Sequence, residues 1–351
     1  MKAPLLGLLD RQGAPSASFY SVLDGFVVNV NWASLQTSAG GPITGNNPID
    51  AAINTVRGLN AQGAHLALKL RINTGIGAPA WAKIVSGAPV TVHDPNSGAS
   101  GTVGRFWNPA YIVAYASLQS KLAALYDGTP EIREITISGC MTIYEEPFIR
   151  NIGDATTLAS FRTAGFTVAA DQACQRAEVV AHAVWHFTYS DLSLNPYQEI
   201  LPTSTAIDES FTATMIGYCR STLGGRCILE NNSLRVVSMG ANYDSMYASI
   251  KAQGPSISFQ TATMARVGNL FTTLGKGVGL GASSMELPYG YQSSPSSAFA
   301  LARVQLIANT AGPLPTPSPS PSPSPSPSPS PSPSPSPSPS PGVSPSSSPS
   351  G

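Results

Sequence analysis

The sequence is short of charge. Acidic and basic residues make up only 11% of its 351 residues, 19 of each sign, for a formal net charge of zero. No run of Lys or Arg occurs, so nothing marks nucleic acid or an anionic membrane as a partner. Long apolar runs are missing too: none approaches the roughly 18 to 20 residues of a membrane span. The opening MKAPLLGLLDRQGAP has one Lys and an apolar patch shorter than the roughly 7 to 15 residues at the centre of a signal peptide, and Asp10 and Arg11 interrupt it. Either an export signal has been trimmed or none is encoded here. Zinc-like Cys/His spacing, a phosphate-cradling Gly loop, a dinucleotide fingerprint and a Ser nucleophile elbow are all absent, and no metal or cofactor is expected. With so little charge and abundant Gly, Ser, Thr and Asn, a neutral polar substrate is favoured over a phosphorylated one.

Cysteines number four. Cys219 and Cys227 flank the turn-rich RSTLGGR and are placed to close a small loop, leaving Cys140 and Cys174 as a second pair; four buried free thiols is the alternative. Disulfides would imply an extracellular protein. From Pro313 onward the chain is almost only Pro and Ser, with 17 of its 32 prolines there and no charged residue beyond Arg303. Such a segment has no apolar bulk for a core and favours extended polyproline II, so residues 313–351 are expected to be a disordered spacer. Residues 1–312 are enough for one large domain, expected to be a monomer.

Within that domain the elements alternate. Strands are expected at Gly25 to Trp32, His65 to Ile72, Glu131 onward, His186 to Asn195, Cys227 to Leu229, Ser256 to Gln260 and Gly277 to Ala282. Helices lie between them, two of them opened by Asn47-Pro48 and Asn108-Pro109. The turn signal DPNSG at Asp94 to Gly98 marks an excursion between Val90 and Phe106. Seven strands with helical crossovers imply parallel pairing, and with an eighth placed near Phe19 to Leu23 the class is α/β, a (β/α)8 barrel; a doubly wound open sheet is the alternative.

In either architecture, chemistry collects beyond the carboxyl ends of the strands. EIREITISGCMTIYEEPFIR, Glu131 to Arg150, reads as a buried strand running on to two adjacent carboxylates, Glu145 and Glu146, before Pro147. Asp191, Glu230 and Glu286 stand at other strand ends. Cleavage of a glycosidic bond needs one protonated and one ionised carboxyl group. Of these acids, Glu145 and Glu146 are the candidates for the acid/base, its pKa raised by the neighbouring charge or by burial, and Glu286 for the nucleophile or base. Asn31, Arg71, Asn195, Asn231 and Gln260 are candidates to bind sugar hydroxyls. Trp32, Trp81, Trp107, Tyr144, Tyr289 and Tyr291 are candidates to stack on sugar faces.

The residues ending in Tyr144, Glu145, Glu146 and Pro147 resemble the Asn-Glu-Pro motif of clan A glycoside hydrolases. VNVNW followed by LALKLRINTGIGAPAW is similar to the second and third strands of family 42 β-galactosidases, where an apolar strand leads to Pro-Ala-Trp. The resemblance covers about Gly25 to Arg150 and implies that Glu146 is the acid/base, with Glu145 where the motif has Asn. It also implies a nucleophile three strands later, a count that reaches Gln260, with Glu286 one strand beyond. Three explanations stand: one strand read as two, a different barrel family, or a site that has lost its nucleophile. The Pro-Ser tail resembles those joining catalytic domains to carbohydrate-binding modules in secreted actinobacterial polysaccharidases. The expectation is thus a secreted barrel glycosidase acting on a neutral polysaccharide or its oligosaccharides, any carbohydrate-binding module beyond the linker having been cut away or never having existed; a non-catalytic carbohydrate-binding or cell-surface barrel is the alternative.

Overall fold

The computed structural model describes residues 1–311; the Pro/Ser segment expected at 313–351 lies outside the described residues. Eight strands pair in parallel: β1 (Gly7–Asp10), β2 (Gly25–Asn31), β3 (Ala67–Asn73), β4 (Ile132–Thr136), β5 (Tyr189–Ser193), β6 (Cys227–Leu234), β7 (Ile257–Thr261) and β8 (Ser284–Leu287). Each pairs with its neighbours in chain order, and β1 closes the ring against β8 through Gly7↔Ser284 to Asp10↔Leu287. This is a closed (β/α)8 barrel, a TIM barrel.

Two strands lie elsewhere than the sequence led us to expect. The eighth strand is not near Phe19 to Leu23, where Ala17–Phe19 is a 3-10 turn and Phe19, Val22 and Leu23 pack into the core. It is Gly7–Asp10, the apolar patch of the opening segment, whose four residues are all buried. A strand closing a barrel is covered on both faces, so it shows no alternation and is too short to announce itself. At the other end, the helix Leu270–Gly279 runs through Gly275 instead of stopping there, and the strand starts only at Ser284. Gly277 is a packing residue: a Cβ on it would collide with the Met285 side chain of β8.

The helices start as the sequence indicates. Asn47 accepts from the Ile49 amide and Asp50 reciprocates, opening Pro48–Ala61; Asn108 accepts from the Ala110 amide, opening Pro109–Tyr126. Ile49, Ile53 and Val56 of the first and Tyr111, Tyr115, Leu118 and Leu122 of the second face the barrel. Two antiparallel hairpins leave the barrel: Val90–His93 with Ser100–Val103, and Tyr197–Ile200 with Thr205–Asp208.

The inside of the barrel is ionic. Lys69 and Glu134 are register partners on β3 and β4, and Asp191 (β5), Glu230 (β6) and Glu286 (β8) point into the same space. Lys69 Nζ lies 2.5 Å from Asp191 and Glu230, 2.9 Å from Glu286 and 3.5 Å from Glu134, and all five side chains are buried. Burial acts to discharge the ammonium, but the four carboxylates outweigh it and hold the Lys69 pKa well above the ordinary value. Burial, then the neighbouring Asp191, pushes Glu230 well up; burial raises Glu134 to about 8. Protons kept on those two offset the excess of acid over base.

Candidate functional site

The loop that follows β4 is pinned before it delivers its acids. Ser138 Oγ donates to the Ile72 carbonyl at 2.7 Å, and a Cβ on Gly75 would collide with the Thr142 carbonyl, so the β3 and β4 loops are in direct contact. A disulfide joins Cys140 to Cys174 on the helix Val168–Ala181. From the same helix Glu178 accepts from the Cys140 amide at 2.8 Å and Gln175 donates to the Pro147 carbonyl at 2.7 Å. Beyond Pro147, the buried Arg150 makes a two-pronged pair with Asp171 at 2.6 and 2.9 Å. The second disulfide, Cys219–Cys227, ties the helix Glu209–Leu223 to the start of β6.

Held in this way, Glu146 faces a cavity of about 630 Å³ at the carboxyl-end mouth. That volume suits a small ligand or a few sugar residues. Asn195 Nδ2 donates to Glu146 Oε1 at 3.3 Å. Asn195 is itself fixed, its Oδ1 accepting from Tyr243 Oη at 3.1 Å and from Asn231 Nδ2 at 3.3 Å. Burial first, and then the charge of Glu145, raise the Glu146 pKa to about 8. At neutral pH Glu146 is therefore mostly a proton donor.

Glu145 turns the other way. Its carboxylate lies 3.1 Å from Arg71 Nε and accepts from Asn232 Nδ2 at 3.1 Å, and the side chain is 18% exposed. Arg71 bridges downward: its Nη2 donates to both oxygens of Glu286 at 2.7 and 2.9 Å. Burial would raise the Glu286 pKa, but Arg71 and Lys69 overcome it and hold it at about 2. Glu286 is thus an ionised group sealed below Arg71, with no exposure, and it does not line the cavity. The expected facing of Glu146 and Glu286 across one open space is not formed.

Glu134, Asp191 and Glu230 come close enough together to resemble a metal-binding set. Lys69 already occupies the middle of it, so its positive charge is internal to the chain.

No family model matches the chain, and no curated protein matches it in sequence. Solved structures do match. The catalytic domain of β-amylase from Paenibacillus polymyxa aligns over 86% of this chain and 100% of its own with a TM-score of 0.54, at 12% identity. Endo-glycoceramidase II from Rhodococcus sp. aligns over 84% of this chain and 78% of its own, at 12% identity and a TM-score of 0.46. What is shared is the fold. At this identity the likeness to the β-amylase domain shows the fold alone and assigns no residue a role.

The other candidates separate into three groups. Tyr144, Asn195 and Gln260 line the cavity beside Glu146. Gln260 is the register partner of Glu286, on β7 beside β8, so these are two distinct strands and not one read as two. A second group supports the site from behind: Arg71 as described, and Asn231, which is buried and donates to the Leu194 carbonyl at 2.8 Å while accepting from Tyr247 Oη.

The third group is elsewhere. Trp32 is fully buried, donates to Gln36 and packs edge-on against Trp81 and Tyr111, so its ring has no free face. Trp81 donates to the Gln36 carbonyl in the same cluster and does not line the cavity. Trp107 is buried among Phe106, Phe161 and Phe166. Tyr291 is buried and donates to Asp10 at 2.7 Å, whereas Tyr289 is 73% exposed and outside the cavity, as is Asn31 at the end of β2. Trp32, Trp81, Trp107 and Tyr291 complete the core instead, because the helices that follow the strands must be packed against something apolar.

Sequence reasoning missed the far walls. Asp94, Asn96 and Ser97, in the turn of the first hairpin, reach the cavity, and Tyr144 Oη donates to Asp94 at 2.7 Å. Gln198 comes from the second hairpin, Arg11 from the segment after β1, Ser233 from the end of β6, and Arg235, Tyr243 and Arg266 from the segments after β6 and β7. The DPNSG turn was a visible signal of a hairpin. Its placement over the mouth was not visible, since that depends on the long-range contact with Tyr144.

Proposed function

We propose that the protein is a glycoside hydrolase with Glu146 as general acid. The observation that carries this reading is a cavity-facing carboxyl group that keeps its proton at neutral pH and is oriented by Asn195. Such a group can donate to a leaving glycosidic oxygen. Glu145 is the second carboxyl group of the site: it does not itself line the cavity, but it is partly exposed, is paired with Arg71 and accepts from Asn232, which does line it. Glu286 anchors Arg71 from beneath and so positions Glu145. Tyr144, Gln260 and Asn232 offer polar groups to sugar hydroxyls. The substrate is a carbohydrate, and the two disulfides suit a protein working as a monomer outside the cell. This reading rests on the site and not on the shared barrel.

The test is hydrolysis of a panel of oligosaccharides and aryl glycosides by the wild type and by Glu146→Gln. Loss of cleavage of natural glycosides, with activity retained on aryl glycosides whose leaving group needs no proton, is the expected pattern. Equal activity of the two proteins on unactivated glycosides refutes the assignment.

Gln260 favours a second reading. It lines the cavity at the strand position where the resemblance places a nucleophile, which suits a barrel that binds a glycan without cutting it. Saturable glycan binding by titration calorimetry, with intact ligand recovered after prolonged incubation, would establish that reading instead.

A further inference from the structure

The cavity carries a concentration of positive charge that the composition of the whole chain hides. Three of the chain's 19 basic residues, Arg11, Arg235 and Arg266, line it. Among the described residues, none of the three has a carboxylate within 4 Å. Arg11 donates to the Thr261 carbonyl at 3.0 Å and lies in the field of Glu286, Glu145 and Asp10, so its charge is partly offset. Arg235 donates Nε to the Ser233 carbonyl at 3.2 Å, leaving its terminal nitrogens without a protein acceptor, and Arg266 is exposed.

The acids of the same cavity do not cancel them. Glu146 keeps its proton, and Asp94 is saturated by its own turn, accepting from the Asn96 amide at 3.0 Å, Ser97 Oγ at 2.8 Å and Tyr144 Oη at 2.7 Å. That turn sits on the wall formed by the first hairpin, whereas the free arginines follow β6 and β7. The cavity is therefore polarised, with the proton donor Glu146 and the hydrogen-bonded carboxylate of Asp94 on one side and unpaired guanidinium groups on the other.

We propose that Arg235 and Arg266 form a subsite for an anionic substituent of the substrate, a carboxylate or sulfate carried on a sugar ring, so that the glycan taken up is acidic. The planar, forked guanidinium matches either oxyanion in a two-pronged hydrogen-bonded pair. The proposal rests on the glycosidase reading for its sugar and names the substrate class of that same cavity. It replaces the neutral substrate favoured by overall composition, which averages over a chain whose charges lie mostly far from the mouth.

The experiment is binding by calorimetry in the Glu146→Gln background, where turnover of unactivated glycosides is strongly reduced, with three probes. These are a uronic-acid oligosaccharide, the same oligosaccharide after carboxyl reduction, and a sulfated neutral oligosaccharide. The acidic probe that fits should bind at least about 10-fold tighter than the reduced one, lose that advantage in the added Arg235→Gln/Arg266→Gln pair, and weaken as salt screens the contact. Preference for the uronate or for the sulfated probe identifies which oxyanion the subsite takes. Equal binding of all three, or no change in the arginine variant with its fold verified by circular dichroism, overturns the proposal. Wild-type cleavage of the reduced probe would still uphold the glycosidase reading in that case, and arginine-dependent binding of an acidic probe that the wild type never cleaves would overturn only the hydrolase.

Discussion

Lys69 Nζ lies 2.5 Å from Glu230 Oε2 in the middle of the barrel, and neither side chain has any solvent exposure. Around this pair the usual apolar filling of a (β/α)8 barrel is replaced by a hub of one ammonium and four carboxyl groups.

Removing the hub should be severe. Lys69→Met leaves Glu134, Asp191, Glu230 and Glu286 without their shared cation, and breaking one side of a buried ion network costs about 3–5 kcal/mol. Because the orphaned acids can be neutralised by protons, the loss should be smaller at pH 5 than at pH 8. Urea unfolding midpoints of the variant and wild type at the two pH values measure this, and a variant equally stable at pH 8 would contradict it.

Activity should fall on the alkaline side as Glu146 loses its proton near pH 8. Glu146→Gln should reduce turnover of unactivated glycosides by about 10² to 10⁴-fold and abolish that limb. Glu145→Gln removes the charge that helps hold the proton on Glu146. Carbon-13 NMR titration of the Glu146 carboxyl, which is readable even in an inactive variant, should then give a lower pKa. An unchanged value would mean that burial alone sets it.

Stability against pH follows from five buried groups. Glu134, Glu146 and Glu178 have folded pKa values raised from 4.5 to about 8, so the folded state holds protons that the unfolded chain releases, and stability falls as pH rises from about 4.5 to 8. His182, buried between Tyr115 and Ser190, is lowered from 6.5 to about 3 and loses stability as pH falls through that range. Three groups outweigh one where the ranges overlap, and below pH 4.5 the depressed Glu286 joins His182. Thermal melting should therefore peak near pH 5 and be lower at pH 8, and Glu178→Gln should flatten the alkaline slope.

The two disulfides should behave differently. They span 34 and 8 residues, for which loop closure alone implies stabilisation of about 4 and 2.5 kcal/mol. Cys219→Ser/Cys227→Ser should lower the melting temperature with little change in kcat. Cys140→Ser/Cys174→Ser should lower both, since it frees the loop that carries Glu145 and Glu146. Equal kinetic effects of the two pairs would remove the link between that bridge and the site.

Much of this architecture could be read from local pattern. Alternating strands and capped helices are written in short-range chemistry, such as Asn47-Pro48 and Asn108-Pro109, and the small loop between Cys219 and Cys227 is a matter of spacing. The barrel-closing strand Gly7–Asp10 was hidden because a short strand buried on both faces leaves no period. At the site, the cavity position of Glu146 was legible because an acid pair before a Pro follows a buried strand, although that strand ends at Thr136 and a loop carries the pair to the mouth. Glu286 was equally conspicuous, yet its role depends on Arg71 and Lys69 reaching it from β3, which no local pattern encodes. Trp32 and Trp107 misled for the same reason: position near a strand end does not say whether a ring faces the mouth or the helices.

The ionic hub also divides unevenly along the chain. The first four strands contribute Lys69, Arg71 and Glu134, and the last four contribute Asp191, Glu230 and Glu286. Cut between β4 and β5, the chain would give one fragment with a basic lumen and one with an acidic lumen, each poorly neutralised alone and each the counter-ion of the other. Charge balance inside the barrel thus depends on both halves at once, and two such fragments, mixed in solution, should attract one another.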